Sequence, residues 1–145
     1  MDPIIRNAMK EDADADAIAK LSAQLGYTID SRQTNDLLTL LLRSEENTVL
    51  VATNDDNVIA WAQVSYIVRV ESGCFCELVG LVVDEHFRGN GIGEKLLEEA
   101  TLWSIAKGCK KLRVRSNNIR RSAAAFYKKM GFSITKTQNV FDKNI

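Results

Sequence analysis

The chain has 145 residues, with 19 Lys+Arg balanced by 19 Asp+Glu, a length that fits one domain with a substantial core. The longest aliphatic run, near Leu37 to Leu42, is far below the roughly 18 residues that span a bilayer, and the polar N-terminus has no signal-peptide pattern. A single cytoplasmic domain over residues 1–145, with no membrane partner, is therefore expected. Cys74, Cys76 and Cys109 are an odd number without metal-ligand spacing, so they read as ordinary reduced cysteines and no metal is expected. Cys74-Phe75-Cys76 would place both thiols on one strand face.

The zero net charge is divided along the chain. Residues 1–87 carry 6 Lys+Arg against 15 Asp+Glu, a net of −9, and residues 88–145 carry 13 against 4, a net of +9. Should the two halves meet at a cleft, the second would favour an anionic ligand and the first a cationic one.

Ile4 and Ile5 can form a first strand. Asp12 or Asp14 can cap a helix carrying Ile18, Leu21 and Leu25, which Gly26 stops. A second helix is capped by Asp30 or Ser31 and carries Leu37, Leu38, Leu41 and Leu42 as its apolar stripe. Val49 to Thr53 and Val58 to Val70 flank Asn54-Asp55-Asp56-Asn57, whose Asx residues tolerate hairpin geometry, so this pair should be antiparallel. Glu71-Ser72-Gly73 makes the next turn, and from Cys74 the pattern becomes alternating strand and helix.

Glu77 to Val83 reads as a strand, and the following helix repeats Ile92, Leu96, Ala100 and Trp103 before Gly108. Leu112 and Val114 mark another strand, Arg121 to Met130 a short helix, and Phe132 to Phe141 a last strand. The strand, helix, strand unit should be parallel and right-handed. The expected fold is α/β in the α+β sense: a mixed, mostly antiparallel sheet with helices on both faces.

Between the strand at Val83 and its helix lies Arg88-Gly89-Asn90-Gly91-Ile92-Gly93. Such a turn leaves backbone N–H groups uncovered, and the first helical turn adds unpaired donors and a positive dipole end, so phosphate oxygens could sit there without a metal. No Gly-Lys-Ser/Thr follows, so it is not a P-loop, and it lacks the glycine order and distal acidic residue of dinucleotide sites. The loop taken by itself could also be a tight connection.

The surrounding residues resemble the GNAT superfamily of acyl-CoA-dependent N-acyltransferases. Arg88, Gly91 and Gly93 match its Arg/Gln-x-x-Gly-x-Gly/Ala loop. Ser116-Asn117-Asn118, Arg120, Ala123, Phe126-Tyr127 and Gly131-Phe132 look like its second cofactor-contacting strand, helix and tyrosine-bearing turn. The resemblance is strongest from Leu78 to Phe132, and the first 70 residues follow the family layout without a specific motif.

The resemblance implies acetyl-CoA as cosubstrate, its pyrophosphate on Arg88, Gly89, Asn90, Gly91, Ile92 and Gly93. Leu81, Val82 and Val83 would offer backbone groups to the pantetheine arm, and the N–H near Val83 would face the thioester oxygen. Asn117 or Asn118 could bond the pantetheine amides, Arg120 or Arg121 could neutralise phosphate, and Phe126 belongs to the same cofactor-contacting motif. Tyr127 matches the tyrosine that protonates the departing thiolate. Glu77 is the candidate base: period-two alternation puts it on one face with Val79, Leu81 and Val83. His86 lies in a polar turn with no partner at catalytic spacing and reads as a surface residue.

The implied reaction is direct acetyl transfer to a primary amine of a small molecule or peptide. The acceptor would enter on the acidic side, where Asp30, Asp36, Glu45, Glu46 and Glu71 could attract a cation. The last strand, ending near Phe141, leaves pairing with a second subunit open. A non-catalytic acyl-CoA sensor is the rival reading. A nucleic-acid surface is disfavoured, because aromatic residues do not interleave with Lys111, Arg113 and Arg115.

Overall fold

The computed structural model describes residues 2–10, 12–117 and 121–145. They fall into two compact units, Met1–Arg115 and Ser116–Ile145. The first unit runs β1 (Ile4–Asn7), α1 (Asp12–Ala23), α2 (Ser31–Leu42), β2 (Asn47–Asn54), β3 (Asn57–Arg69), β4 (Gly73–Val83), α3 (Ile92–Ala106) and β5 (Leu112–Val114). The five strands form one sheet in chain order, antiparallel throughout except for the parallel pair β4–β5.

Local chemistry sets these boundaries. Asp30 caps α2 through a capping box: its carboxylate accepts from Gln33 N at 2.8 Å, and Gln33 Oε1 accepts from Asp30 N at 3.1 Å. Asp55 and Asp56 both take positive φ, 50° and 64°, the backbone that a two-residue hairpin between right-twisted strands requires and that Asx residues tolerate.

The sheet is covered on both faces. Val49 and Val51 of β2 form one core with Ala8, Ala15, Ile18 and Leu38, against which Leu41 and Trp61 pack. The register extends this α1/α2 face across β3 and β4, because Val51 lies opposite Trp61 and Trp61 opposite Val82. Leu50, Ala52, Ala60, Ala62, Val64 and Leu78 lie on the other face and are buried. The remaining helix of the unit, α3, covers them with Ile92, Leu96, Leu97 and Ala100. On α2 the buried stripe is Thr34 and Leu38, with Leu37 and Leu42 exposed, so the expected four-leucine stripe is narrower than its spacing suggested.

Asp14 does not serve as a helix cap. It is 3% exposed and accepts both Arg6 guanidinium nitrogens, at 2.8 and 2.9 Å, and Met9 N at 2.8 Å. The Arg6 hydrogen bond is the main cause holding its carboxyl below the ordinary aspartate value, against the opposing cost of burial. The pair ties β1 to α1.

In the second unit, α4 (Arg121–Lys129) stacks Phe126, Tyr127 and Phe132 edge to face, with ring centroids 5.3 and 5.6 Å apart. The strand expected over Phe132 to Phe141 does not form. Its apolar residues are too few and too dispersed to give a half-buried face. Ile134, Val140 and Phe141 are exposed, and Thr135 to Asn139 between them are all polar or charged.

Candidate active site

The end of β4 is shaped by a bulge that alternation does not reveal. Gln63 pairs with Gly80 and Val64 with Leu78, so Val79 is an extra residue in β4. On the β4 side before it, Cys76 N donates toward β5, to Lys111 O at 3.0 Å. After it, Asp84 N donates toward β3, to Ile59 O at 2.8 Å. Alternation back from Asp84 then turns the backbone groups of Val83 and Leu81 to the β5 side. There the parallel pairing stops at Leu78–Val114, and among the described residues no strand pairs with that edge beyond it.

Gly80 beside the bulge lies directly under the Trp61 ring. A Cβ there would lie 2.8 Å from Trp61 Cη2 and 3.0 Å from Cζ3. The signal in the sequence was the isolated glycine within a strand pattern, which marks a bulge or a close approach. Here it marks both.

Beyond Val83 the chain makes a single 3-10 turn, Glu85–Phe87, capped by Asp84, and then the glycine loop. Gly89 and Gly91 take φ of 81° and 76°, left-handed values that residues with a Cβ rarely adopt. Gly91 is the N-cap of α3 and offers no side-chain hydrogen bond, so no capping side chain takes up the first-turn N–H groups. Arg88, Gly89, Asn90 and Gly91 are exposed, Ile92 is buried, and Gly93 is half-buried. Asn90 Nδ2 holds the loop by donating to Phe87 O at 2.9 Å, and Arg88 Nε donates to Val83 O at 3.2 Å. The turn combines a helix N-terminus without a capping side chain and a guanidinium at the open edge of β4, a chemistry suited to a phosphorylated ligand.

The same bulge moves Glu77 to the other face from the one alternation assigned. Glu77 lies opposite Ser65, Gly80 opposite Gln63 and Val82 opposite Trp61, whereas Leu81 and Val83 lie opposite Ala62 and Ala60. Glu77 thus shares the α1/α2 face with Gly80 and Val82, apart from Leu81 and Val83. Its Oε1 accepts from Arg115 Nε at 2.8 Å, and its side chain is 16% exposed. Neighbouring polar groups on this face are linked: Gln63 Nε2 donates to Ser65 Oγ at 3.4 Å, and Ser65 Oγ donates to Asn47 Oδ1.

His86 has a partner after all. Its Nδ1 lies 3.1 Å from Asp84 Oδ1, and its backbone N donates to the same oxygen at 3.0 Å. These bonds, the backbone one first, outweigh burial and lower the Asp84 carboxyl below its ordinary value. The imidazole itself is 78% exposed. Gln24, just past α1, accepts from Glu85 N at 2.9 Å, fastening the first helix to the turn before the loop.

In the second unit, Tyr127 is half-buried between Phe126 and Phe132. Burial raises its phenol above the ordinary value, keeping it protonated near neutral pH, as a proton donor must be. Asn117 is exposed. Asn118 and Arg120 lie outside the described residues.

With this geometry in view, the acetyltransferase (GNAT) domain family matches residues 45–134. The chain belongs to the GNAT acetyltransferase family. It is 30% identical over 139 residues to an aminoglycoside N(6')-acetyltransferase type 1 of Stenotrophomonas maltophilia, covering 92% of this chain and 88% of that one. Its fold is similar to that of the aminoglycoside N-acetyltransferase AAC(6')-Iy in complex with CoA, with a TM-score of 0.86 at 19% identity over 99% of this chain and 96% of that one. It is also similar to glucosamine-6-phosphate N-acetyltransferase from Arabidopsis thaliana, with a TM-score of 0.82 at 19% identity over 99% and 100%. The expected mixed sheet with helices on both faces is thus the fold of this family, whose members use acetyl-CoA as donor. The two structural neighbours have different acceptors in their names, so the fold leaves the acceptor open.

Proposed function

We propose that this GNAT acetyltransferase moves an acetyl group from acetyl-CoA to a primary amine of a small polycationic molecule of the aminoglycoside class. The observation that carries this reading is the 30% identity across 92% of the chain to an aminoglycoside N(6')-acetyltransferase. The charge division agrees with it: a net −9 over residues 1–87 favours a cationic acceptor. Asp30, Asp36, Glu45, Glu46 and Glu71 are exposed in that half.

In this proposal Gly89 to Gly93 and Arg88 bind the pyrophosphate. The outward backbone groups of Leu81 and Val83 pair with the pantetheine arm along the β4 edge beyond Leu78–Val114, whereas Val82, expected to join them, turns its backbone groups to β3. The Val83 N–H stabilises the negative charge that gathers on the thioester oxygen as the amine attacks. By the family resemblance, Asn117 and Phe126 would contact the same arm. Glu77 accepts the amine proton through water on the α1/α2 side, its orientation fixed by Arg115. The C–N bond forms as the C–S bond breaks, and the phenol of Tyr127 protonates the departing thiolate.

The test is a panel of aminoglycosides, polyamines, amino sugars and lysine peptides incubated with acetyl-CoA and read by mass spectrometry. An acetylated aminoglycoside is the expected product. Acetylation confined to peptides would replace the acceptor class, and tight acetyl-CoA binding with no product on any amine would point to a sensor instead.

A further inference from the structure

The three cysteines form a cluster that the acetyl-transfer reading does not use. Cys76 lies in β4 opposite Leu112 of β5 and is fully buried. Its face is that of Tyr66, Val64 and Leu78, the one α3 covers. Cys109 arrives on that side because α3 ends there: Gly108 reverses the chain at φ 83°, and Cys109 N donates back to Ser104 O at 3.0 Å. The result is a Cys76 Sγ to Cys109 Sγ distance of 2.8 Å, within about 0.8 Å of the ~2.0 Å S–S bond. Cys109 is half-buried and Cys74 is exposed, so the cluster has a route to solvent.

We propose that Cys76 and Cys109 are a redox modification site, forming a reversible disulfide that ties β4 to the turn leading into β5. The oxidant is a small-molecule disulfide, RSSR. Cys109 loses its proton to water, and its thiolate attacks one sulfur of RSSR, giving a mixed disulfide and one thiolate, which takes up a proton. Cys76, already in contact, then loses its proton and attacks the Cys109 sulfur, forming the internal S–S bond and expelling the second small thiolate, which is protonated in turn. Two protein thiols are oxidised and RSSR is reduced to two RSH. Burial and then the contact with Cys76 push the Cys109 thiol up to about 11, so its thiolate is scarce at neutral pH and the exchange is faster at alkaline pH.

The experiment incubates the folded protein with glutathione disulfide at mildly alkaline pH, blocks residual thiols with iodoacetamide and maps peptides without reduction. The expected result is a linked Cys76–Cys109 peptide, an unblocked intact mass lower by about 2 Da, alkylation on Cys74 alone, and reversal by dithiothreitol. Cys109→Ser should abolish the link and Cys74→Ser should leave it. Three alkylated thiols, a lasting mixed disulfide on Cys109 beside alkylated Cys76, or a link through Cys74 would each overturn the proposal. The wild-type map decides the matter even if the Cys109 variant does not fold.

Discussion

The stretch from Leu81 to Gly93 and the face carrying Glu77 belong to one sheet-and-helix unit, yet they are made of different material. The first presents backbone: strand N–H and C=O groups at the open edge, two left-handed glycines, and an N-cap without a capping side chain. The second presents side chains, with Glu77 on Arg115, and Gln63, Ser65 and Asn47 in a short chain. A ligand held by backbone can be shared by proteins of low identity, whereas one read by side chains can change with each substitution. An aminoglycoside enzyme and a glucosamine-6-phosphate enzyme, each 19% identical to this chain, share its fold while their names give different acceptors.

Breaking each side separately should give separate kinetic signatures. The largest effect is expected at the two groups proposed to move protons, Tyr127 and Glu77. Tyr127→Phe should lower kcat by about 10²-fold, the low end of general acid catalysis, while acetyl-CoA binding by calorimetry stays within about twofold. An equal loss of binding would make Tyr127 a packing residue. Glu77→Gln should also reduce kcat, by about 10-fold to 10²-fold, and change the pH–rate profile. An unchanged profile would leave Glu77 as the structural partner of Arg115. Gly91→Val should act on the donor alone. The valine must adopt φ near 76° at a cost of about 1–2 kcal/mol, so acetyl-CoA should bind roughly tenfold more weakly while kcat at saturating donor holds.

Backbone-made features were legible because glycine is visible in a sequence: Gly91 and Gly93 marked the loop, and Asp55-Asp56 marked the hairpin. Apolar runs bounded by turn residues located the strands of the first unit, and helical spacing located its helices. What remained hidden was tertiary. Glu77 was assigned to the wrong face because one inserted residue, Val79, reverses the alternation. The Asp84 contact of His86 and the Arg6 contact of Asp14 depend on how the chain turns, and their spacings carry no signal. The Phe132 to Phe141 segment shows the opposite error, since a scatter of β-prone residues is insufficient without a neighbouring strand to pair with.

Smaller effects probe the support beneath the two sides. Gly80→Ala would put a methyl group 2.8 Å from the Trp61 ring, and overpacking there should cost about 1–2 kcal/mol by urea denaturation. If the ring cannot withdraw, β4 shifts at the bulge, and donor affinity should fall along with stability. Unchanged donor affinity in a destabilised Gly80→Ala protein would show that the open edge does not depend on this contact.

The smallest effect is that of acid on the Arg6–Asp14 pair. The Asp14 carboxyl is lowered in the folded state, so the unfolded chain binds its proton first as the pH falls. Its stabilisation is fully present above the ordinary aspartate value near 3.9 and is lost as the pH drops through the lower folded value. Stability measured by urea from pH 7 to pH 3 should therefore decline. Asp14→Asn keeps the side chain's shape but has no carboxyl to titrate, so it should be less stable at pH 7 and show a shallower decline. The pair ties β1 to α1, away from the glycine loop, so acetyl-CoA affinity of the folded variant should match wild type. A parallel decline in both proteins would assign the acid sensitivity to other carboxylates.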